Sequence, residues 1–161
     1  MDWLRLRRAD WQRFCSLTRY EQRLLALSLI GLSLLVMVHR LFGLARTSHF
    51  LGRITPGYRG VRSPDWQTLC RARCISKIVR IAGNRCLFRS TCLQQSFFLG
   101  WILERRGVAA ALYLGVKKKG SLFEGHAWVE YLGYTLNDRA DVRSRFAAFA
   151  EPARVWNTSS I

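Results

Sequence analysis

The sequence predicts an α+β fold, with helices in the N-terminal half and a small antiparallel sheet near the C-terminus. Three observations support this prediction. Residues 24–38 are a Leu-rich run without a charge, and residues 84–107 place apolar side chains at helical spacing behind a good N-cap. Two runs rich in strand-forming residues, 126–131 and 134–138, flank Leu132-Gly133.

The uncharged run 24–38 predicts a helix that is buried in the protein or lies at an interface. At 1.5 Å per residue it covers roughly 22 Å, which is shorter than the ~30 Å hydrocarbon core of a bilayer. A membrane span stays open as the alternative. The preceding segment is long and of mixed charge, with Asp2, Asp10 and Glu21, and no small-x-small cleavage site follows, so we do not expect a secretory signal.

Residues 47–64 contain three glycines and two prolines and predict an irregular connection. A further helix is expected over residues 64–81. The length of 161 residues suits one domain. We therefore expect a single domain over residues 1–161, made of a helical, basic N-terminal region (1–60) and a core (61–161).

The central helix is expected to begin at Asn84 and to end before Gly107, with Arg105 and Arg106 in its last turn. Cys86 then lies in the first turn. Unpaired backbone N–H groups and the positive end of the helix dipole stabilise a thiolate at such a position. The backbone N–H of Cys86 would also help to hold the oxyanion of a tetrahedral intermediate.

The two strand-like runs predict a hairpin that brings a histidine to a carboxylate. Gly133 suits the left-handed position that closes a three-residue loop over residues 131–133. In that register His126 and Asp138 are directly opposite each other, with Cβ atoms about 5 Å apart. The carboxylate would then fix the tautomer of the imidazole. A two-residue loop would shift the register by one residue and weaken this geometry.

These residues together indicate a thiol enzyme, with Cys86 as the nucleophile, His126 as its base and Asp138 as the orienting carboxylate. The blander interpretation is that each is structural, because free cysteines and lone histidines are usually inert. Their order and local setting favour catalysis. His39 and His49 compete less well as the base, because no hairpin carboxylate faces either of them.

The same segments carry a resemblance to a known family. They resemble the transglutaminase-like leader peptidases of lasso-peptide maturation, stand-alone type, which are papain-like cysteine proteases, and the matching segments are Cys86-Leu-Phe-Arg-Ser90, Ala111-Leu-Tyr-Leu-Gly-Val116, Gly125-His-Ala-Trp-Val-Glu130 and Leu136-Asn-Asp138. The resemblance implies that Cys86, His126 and Asp138 form the triad. It also implies a papain/transglutaminase-like fold whose central helix starts at the catalytic cysteine. Thr91-Cys92 depart from the family pattern, where Leu and a small residue are expected.

The resemblance further implies a function and a set of partners. The chain would be a bacterial cysteine peptidase that removes the leader from a ribosomally made lasso-peptide precursor in antibiotic biosynthesis. Its partners would be the precursor leader peptide, a separate winged-helix, PqqD-like leader-recognition protein, and an ATP-dependent lasso cyclase. Two alternatives stay open: acyl transfer or amide hydrolysis on another substrate, and a non-catalytic basic adaptor for membrane or nucleic acid.

The five cysteines are odd in number and form no Cys-x-x-Cys pair, which argues against a disulfide framework or a structural zinc site. We expect no metal, no cofactor and a reducing, cytoplasmic location. Cys70 and Cys74 are one helical turn apart and could be read as half of a metal site, but helix packing is the favoured interpretation.

The net charge of +16 predicts a diffuse basic surface that attracts acidic protein segments or a membrane surface. The arginines are scattered, and no RNA-binding aromatic motif or basic recognition helix accompanies them, so specific nucleic-acid binding is not expected. Lys117-Lys-Lys-Gly120 is expected to form a loop between two strands, either as a solvated turn or as a contact for an acidic substrate or partner.

Overall fold

A computed structural model describes residues 17–54 and 65–149, without the side chains of residues 44–54. Its elements, in chain order, are helices α1 (Arg19–Ile54), α2 (Trp66–Gly83) and α3 (Cys92–Glu104), strands β1 (Ala111–Lys119), β2 (Leu122–Tyr131) and β3 (Tyr134–Thr135), the short helix α4 (Val142–Arg145) and strand β4 (Ala147–Ala148). The predicted α+β fold is confirmed, with the helices preceding a four-stranded sheet.

Helix α1 begins at a capping box in which Thr18 and Glu21 exchange hydrogen bonds: the Thr18 N–H donates to Glu21 Oε2 at 2.8 Å, and the Glu21 N–H donates to Thr18 Oγ1 at 3.2 Å. The helix is kinked at Gly43, where φ is 78° and ψ is 165°. It continues to Ile54, so the predicted irregular connection was wrong over residues 47–54. The one glycine in that stretch costs a helix only about 1 kcal/mol. Residues 55–64 lie outside the described residues.

Helix α2 begins at Asp65, whose side chain accepts a hydrogen bond from the Thr68 N–H, and it ends at Gly83. Asn84 is its C-cap, with right-handed helical dihedral angles and an N–H that donates to the carbonyls of Arg80 and Ala82. Asn84 therefore ends one helix and does not begin the next. The predicted start of the central helix was wrong for this reason.

Helix α3 begins at Cys92, and its N-cap lies seven residues after the predicted cap Asn84. Thr91 is its N-cap: Thr91 Oγ1 accepts from the Gln94 N–H at 3.3 Å, and Gln94 Oε1 accepts from the Thr91 N–H at 2.9 Å. This reciprocal pair is a capping box of the Thr-x-x-Gln type. After Glu104 the chain turns at Gly107, whose φ is 75°.

The sheet is antiparallel with strand order β3-β2-β1-β4. Strands β2 and β3 are joined by a two-residue turn in which Leu132 and Gly133 have φ of 52° and 78°, and Tyr131 pairs with Tyr134. The predicted three-residue loop was wrong, because both turn residues adopt the left-handed conformation of a tight hairpin. Lys117–Lys119 also belong to β1, so only Gly120 and Ser121 form the turn before β2.

The main core lies where α1 and α2 pack against α3, and where α3 packs on one face of the sheet. Its most buried members come from α1, α2, α3, β1 and β2, and they include Leu24, Leu32, Leu69, Val79, Phe97, Leu99, Leu103, Leu112 and Val129. A smaller cluster of Trp128, Val142 and Phe146 covers the opposite face. Side chains that alternate along β2 thus point to two different hydrophobic layers.

The close approach of β4 and Trp128 to Gly115 generates a stability prediction. A Cβ at Gly115 would lie 2.9 Å from the Ala147 carbonyl oxygen and 2.9 Å from the Trp128 ring. Gly115→Ala should lower the free energy of unfolding by about 1–3 kcal/mol because the strand or the ring must move. Urea denaturation measures this. Gly125→Ala is the matched control, since a Cβ there meets nothing within 4 Å; equal losses in both variants would contradict the explanation.

Candidate active site

The structure brings His126 and Asp138 together: His126 Nε2 and Asp138 Oδ2 are hydrogen-bonded to each other. The contact does not arise from the predicted register. In the observed β2–β3 pairing, Asp138 would fall opposite Ala127, one residue away. Strand β3 ends at Thr135, however, and the chain leaves the ladder before it reaches Asp138.

Asn137 holds the bend that carries Asp138 to the histidine. Its Oδ1 accepts from the Val129 N–H at 2.8 Å, and its Nδ2 donates to Ser96 Oγ at 2.8 Å. Ser96 in turn donates its hydroxyl to the Ala127 carbonyl at 2.9 Å. One side chain thus replaces the missing strand partner of β2 and joins the bend to helix α3.

The second oxygen of Asp138 is held by two donors. Its Oδ1 accepts from the Arg139 N–H at 2.6 Å and from Arg145 Nη2 at 2.7 Å. Partial burial acts to raise the pKa of the Asp138 carboxyl, but the hydrogen bonds from Arg139, His126 and Arg145 outweigh burial and hold that pKa below its ordinary value. The carboxylate is therefore ionised at neutral pH.

The imidazole ring of His126 stacks with two aromatic rings. The ring centroid of Phe146 lies 4.7 Å away, and that of Trp128 lies 6.2 Å away; both planes are within 26° of the imidazole plane. Trp128 is fully buried, and its Nε1 donates to Glu130 Oε1 at 2.7 Å. The stack fixes the plane of His126. Because Asp138 is bonded to Nε2, Nδ1 is the ring nitrogen that is left for other contacts.

Glu130, which is buried, anchors this stack through a bidentate ion pair with the half-exposed Arg143. Arg143 Nε donates to Glu130 Oε1 and Arg143 Nη2 to Glu130 Oε2, both at 2.8 Å. Burial acts to raise the pKa of Glu130, and the bonds from Arg143 and Trp128 lower it further than burial raises it. Sequence reasoning counted Arg143 and Arg145 only as diffuse surface charge. Their spacing on either side of Ser144 carried no signal of these roles.

Cys86 does not lie in a helix. It sits in the irregular segment between α2 and α3, is partly buried against the main core, and its thiol donates to the carbonyls of Gly83 at 3.3 Å and Phe88 at 2.8 Å. The neighbouring Leu87 N–H faces Ser33 Oγ of α1 at 3.4 Å. The helix-dipole argument for Cys86 therefore does not apply.

Cys92 occupies the helix start that was predicted for Cys86. It is exposed, it is the first residue of α3, and it lies one turn before Ser96 on the same helix face. Ser96 is bonded to Ala127, next to His126. Seven residues after α3 ends, β1 begins at Ala111, which pairs with Glu130. Helix α3 therefore runs toward the Glu130 end of β2, and its start lies toward the His126 end.

Two features of the sequence could have identified Cys92 as a candidate thiol. Thr91 and Gln94 have the spacing of a capping box, which Asn84 lacks. The Cys-Leu-x-x-Ser pattern of residues 86–90 also recurs at residues 92–96, where Gln95 replaces the arginine.

The remaining candidates lie apart from this site. The Cys74 thiol is 3.4 Å from Glu21 Oε1, and burial and that hydrogen bond raise its pKa, while Cys70 is exposed on the same helix. His39 packs edge-on against the ring of Phe97, and burial lowers its pKa. Within the described residues, no group of three or more His, Cys, Asp or Glu side chains could hold a metal ion. Cys15 and the side chain of His49 lie outside the described part.

A strand-borne imidazole bonded to a carboxylate, on a small antiparallel sheet that packs against a central helix, is the arrangement expected of a transglutaminase-like domain. Residues 34–151 match the family model of the transglutaminase-like superfamily, Transglut_core3. The match covers well over half of the chain, and the protein belongs to this superfamily.

Part of the chain is also similar to a curated protein. The chain is 37% identical over 65 residues to the microcin J25-processing protein McjB of Escherichia coli. The similar region covers 40% of this chain and 30% of the relative. No solved structure matches the chain at a significant level.

The depressed pKa of Asp138 predicts the pH dependence of its contribution to stability. An unfolded aspartate titrates near pH 3.9, above the folded group, so the folded state binds fewer protons. The stabilisation is complete above the unfolded pKa and is lost as the pH falls through the folded pKa. The difference in unfolding free energy between wild type and Asp138→Asn should be largest above about pH 5 and shrink toward pH 3. Urea denaturation across pH measures it; a difference that does not change with pH would contradict the assignment.

Proposed function

We propose that this protein is a cysteine peptidase that removes the leader peptide from a ribosomally made lasso-peptide precursor. The observation that carries the proposal is the ionised Asp138 on His126 Nε2, set in a transglutaminase-like domain. The printed name of the similar protein, a microcin-processing protein, supports the choice of substrate class.

The nucleophile in this proposal is Cys86, and Cys92 is the alternative. Cys86 opens the Cys-Leu-x-Arg-Ser segment that carries the resemblance, and its partly buried thiol precedes helix α3 by six residues. Cys92 is exposed at the first residue of α3, where the N–H groups of the first turn and the helix dipole stabilise negative charge. Both thiols are therefore compared in the test below.

The reaction then proceeds through a thioester. His126 Nδ1 takes the thiol proton, and the Cys86 sulfur attacks the scissile carbonyl carbon to give an oxyanion. When the C–N bond breaks, the imidazolium returns its proton to the leaving amine. Water next loses a proton to Nδ1 and attacks the thioester. The thiolate leaves, and the leader departs with a new carboxylate.

Asp138 and Arg145 have different roles in this reaction. Asp138 Oδ2 stabilises the imidazolium, while Arg145 occupies Oδ1 and keeps the carboxylate charged. Phe146 and Trp128 hold the ring in plane, so Nδ1 keeps one direction through both proton transfers.

The proposed partners are the precursor leader peptide, a separate winged-helix, PqqD-like protein that delivers it, and an ATP-dependent lasso cyclase that uses the freed amine. The chain spans about a third of the length of its curated relative. The partners and the substrate are therefore proposed here from a similarity to part of that relative. A cytoplasmic location fits exposed, unpaired thiols at Cys70 and Cys92.

Cys86→Ala should abolish leader removal, whereas Cys92→Ala should keep most of it, because only the former thiol lies in the Cys-Leu-x-Arg-Ser segment that carries the resemblance. Limited alkylation with iodoacetamide, followed by tryptic mass mapping, supplies an activity-independent readout. Cleavage after Arg89 places Cys86 and Cys92 on different peptides. We expect His126→Ala to slow the alkylation of Cys86 and to leave the alkylation of Cys92 unchanged. An inactive Cys92→Ala beside an active, folded Cys86→Ala would reassign the nucleophile to Cys92.

The reaction class is tested by incubating the chain with precursor, with and without a leader-recognition protein. We expect leader release with a free carboxylate, faster with the partner because tethering raises the local substrate concentration. Mass spectrometry of the product distinguishes hydrolysis from transfer to an added amine. Amide-linked products without free leader would favour the transglutaminase-like alternative, and no turnover with any acyl substrate would favour the adaptor.

A further inference from the structure

Helix α1 has two apolar faces, and only one of them is used by the fold. Its inner face is buried against α2 and α3 at Leu24, Leu25, Ser28, Leu32, Leu35 and Val36. Its outer face carries a second apolar row, which we call the α1 stripe: Leu27, Ile30, Leu34, Met37 and Leu41 are 62%, 61%, 52%, 40% and 68% exposed. Their alternating spacing of three and four residues aligns them along one side of the helix.

The α1 stripe continues into a groove between α1 and α3. The groove has a volume of about 600 Å³, and its α3 wall is formed by Phe98, Trp101 and Ile102. Beyond the other side of the helix, Leu87 is 87% exposed and its backbone N–H faces Ser33. The stripe and the groove together present apolar side chains in a row, whereas the exposed apolar side chains of ordinary monomers are scattered singly.

Basic side chains border this surface. Arg105 and Arg106 line the groove at the end of α3, and Arg23 and Arg40 are exposed near the two ends of the α1 stripe. The whole chain carries a net charge of +16. An apolar strip bordered by arginines is complementary to a surface with an apolar interior and anionic groups above it.

We propose that the α1 stripe docks the protein on the surface of an anionic lipid bilayer. Residues 19–43 are long and apolar enough to cross a membrane by length and composition alone, with a mean hydropathy of 2.1. A span would pull the inner face of α1 out of the core, whereas docking leaves the fold intact and buries the stripe among the headgroups. The preceding sequence has a composition favoured at bilayer interfaces, with Trp3, Trp11 and Arg5, Arg7 and Arg8.

A second copy of the chain fits this surface less well. Two molecules of +16 repel each other, and each would bring its own arginines to the same border. This proposal does not depend on the proposed peptidase activity, since its test measures binding to lipid.

The test is co-sedimentation of the purified chain with vesicles of phosphatidylcholine alone or of phosphatidylcholine with one-quarter phosphatidylglycerol. We expect binding to the anionic vesicles and little binding to the neutral ones. The triple variant Leu27→Gln, Leu34→Gln, Leu41→Gln should lower the partition coefficient by about 100-fold or more, since each change withdraws one apolar side chain from the bilayer. Arg105→Gln with Arg106→Gln should weaken binding at low salt and matter less at high salt.

The matched control replaces exposed apolar residues elsewhere, Leu122→Gln with Leu132→Gln, which are 74% and 50% exposed. Circular dichroism verifies that every variant is folded. Equal binding by the triple variant and wild type, or equal losses in the control, would overturn the proposal. So would a wild-type dimer in light scattering that dissociates in the triple variant, because the α1 stripe would then be covered by a second copy.

Discussion

The hydrogen bonds of Ser96 and Asn137 hold together the segments from which the candidate active site is built. Ser96 is fully buried on α3 and bonds to the strand that carries His126, while Asn137 bonds to the same strand and to Ser96, one residue before Asp138. A buried polar group that loses its partner costs about 1–3 kcal/mol. The relative positions of the helix start, the imidazole and the carboxylate therefore depend on this one junction, more than on the length of any strand.

Two arginines of the short helix α4 set the electrostatics around it. Arg143 pairs with the buried Glu130 beneath the aromatic stack, and Arg145 pairs with Asp138 at the level of the imidazole. Because Arg145 uses Oδ1, the other carboxylate oxygen is left to His126. The composition of 26 basic and 10 acidic residues predicts only a diffuse basic surface. These contacts give two of the basic residues a specific local role.

The sequence was sufficient for the fold class and for the meeting of His126 and Asp138, but not for how they meet. The tight turn at Leu132-Gly133 shifts the register, and the side chain of Asn137 then corrects for that shift by bending the chain. No local pattern predicts such a compensation, because it depends on a hydroxyl 41 residues away on α3. The helix start is different. The Thr91-x-x-Gln94 pattern is typical of a helix start and can be recognised in the sequence. Asn84 is also a plausible N-cap in the sequence, and it is excluded because helix α2 extends to Gly83.

The four described cysteines are separated by their surroundings, and this bears on which can act as a nucleophile. Cys74 is kept as a neutral thiol by burial and by its hydrogen bond to Glu21. The Cys86 thiol points its hydrogen at carbonyl oxygens of its own segment. Cys70 is exposed but lies beyond the first turn of α2, where the N–H groups are already bonded within the helix. Cys92 alone among them combines exposure with a helix N-terminus, and its helix is tied to the strand of His126. The two candidate thiols therefore differ in setting: Cys92 lies among the positive backbone groups of the helix start, whereas Cys86 lies in the irregular segment before it.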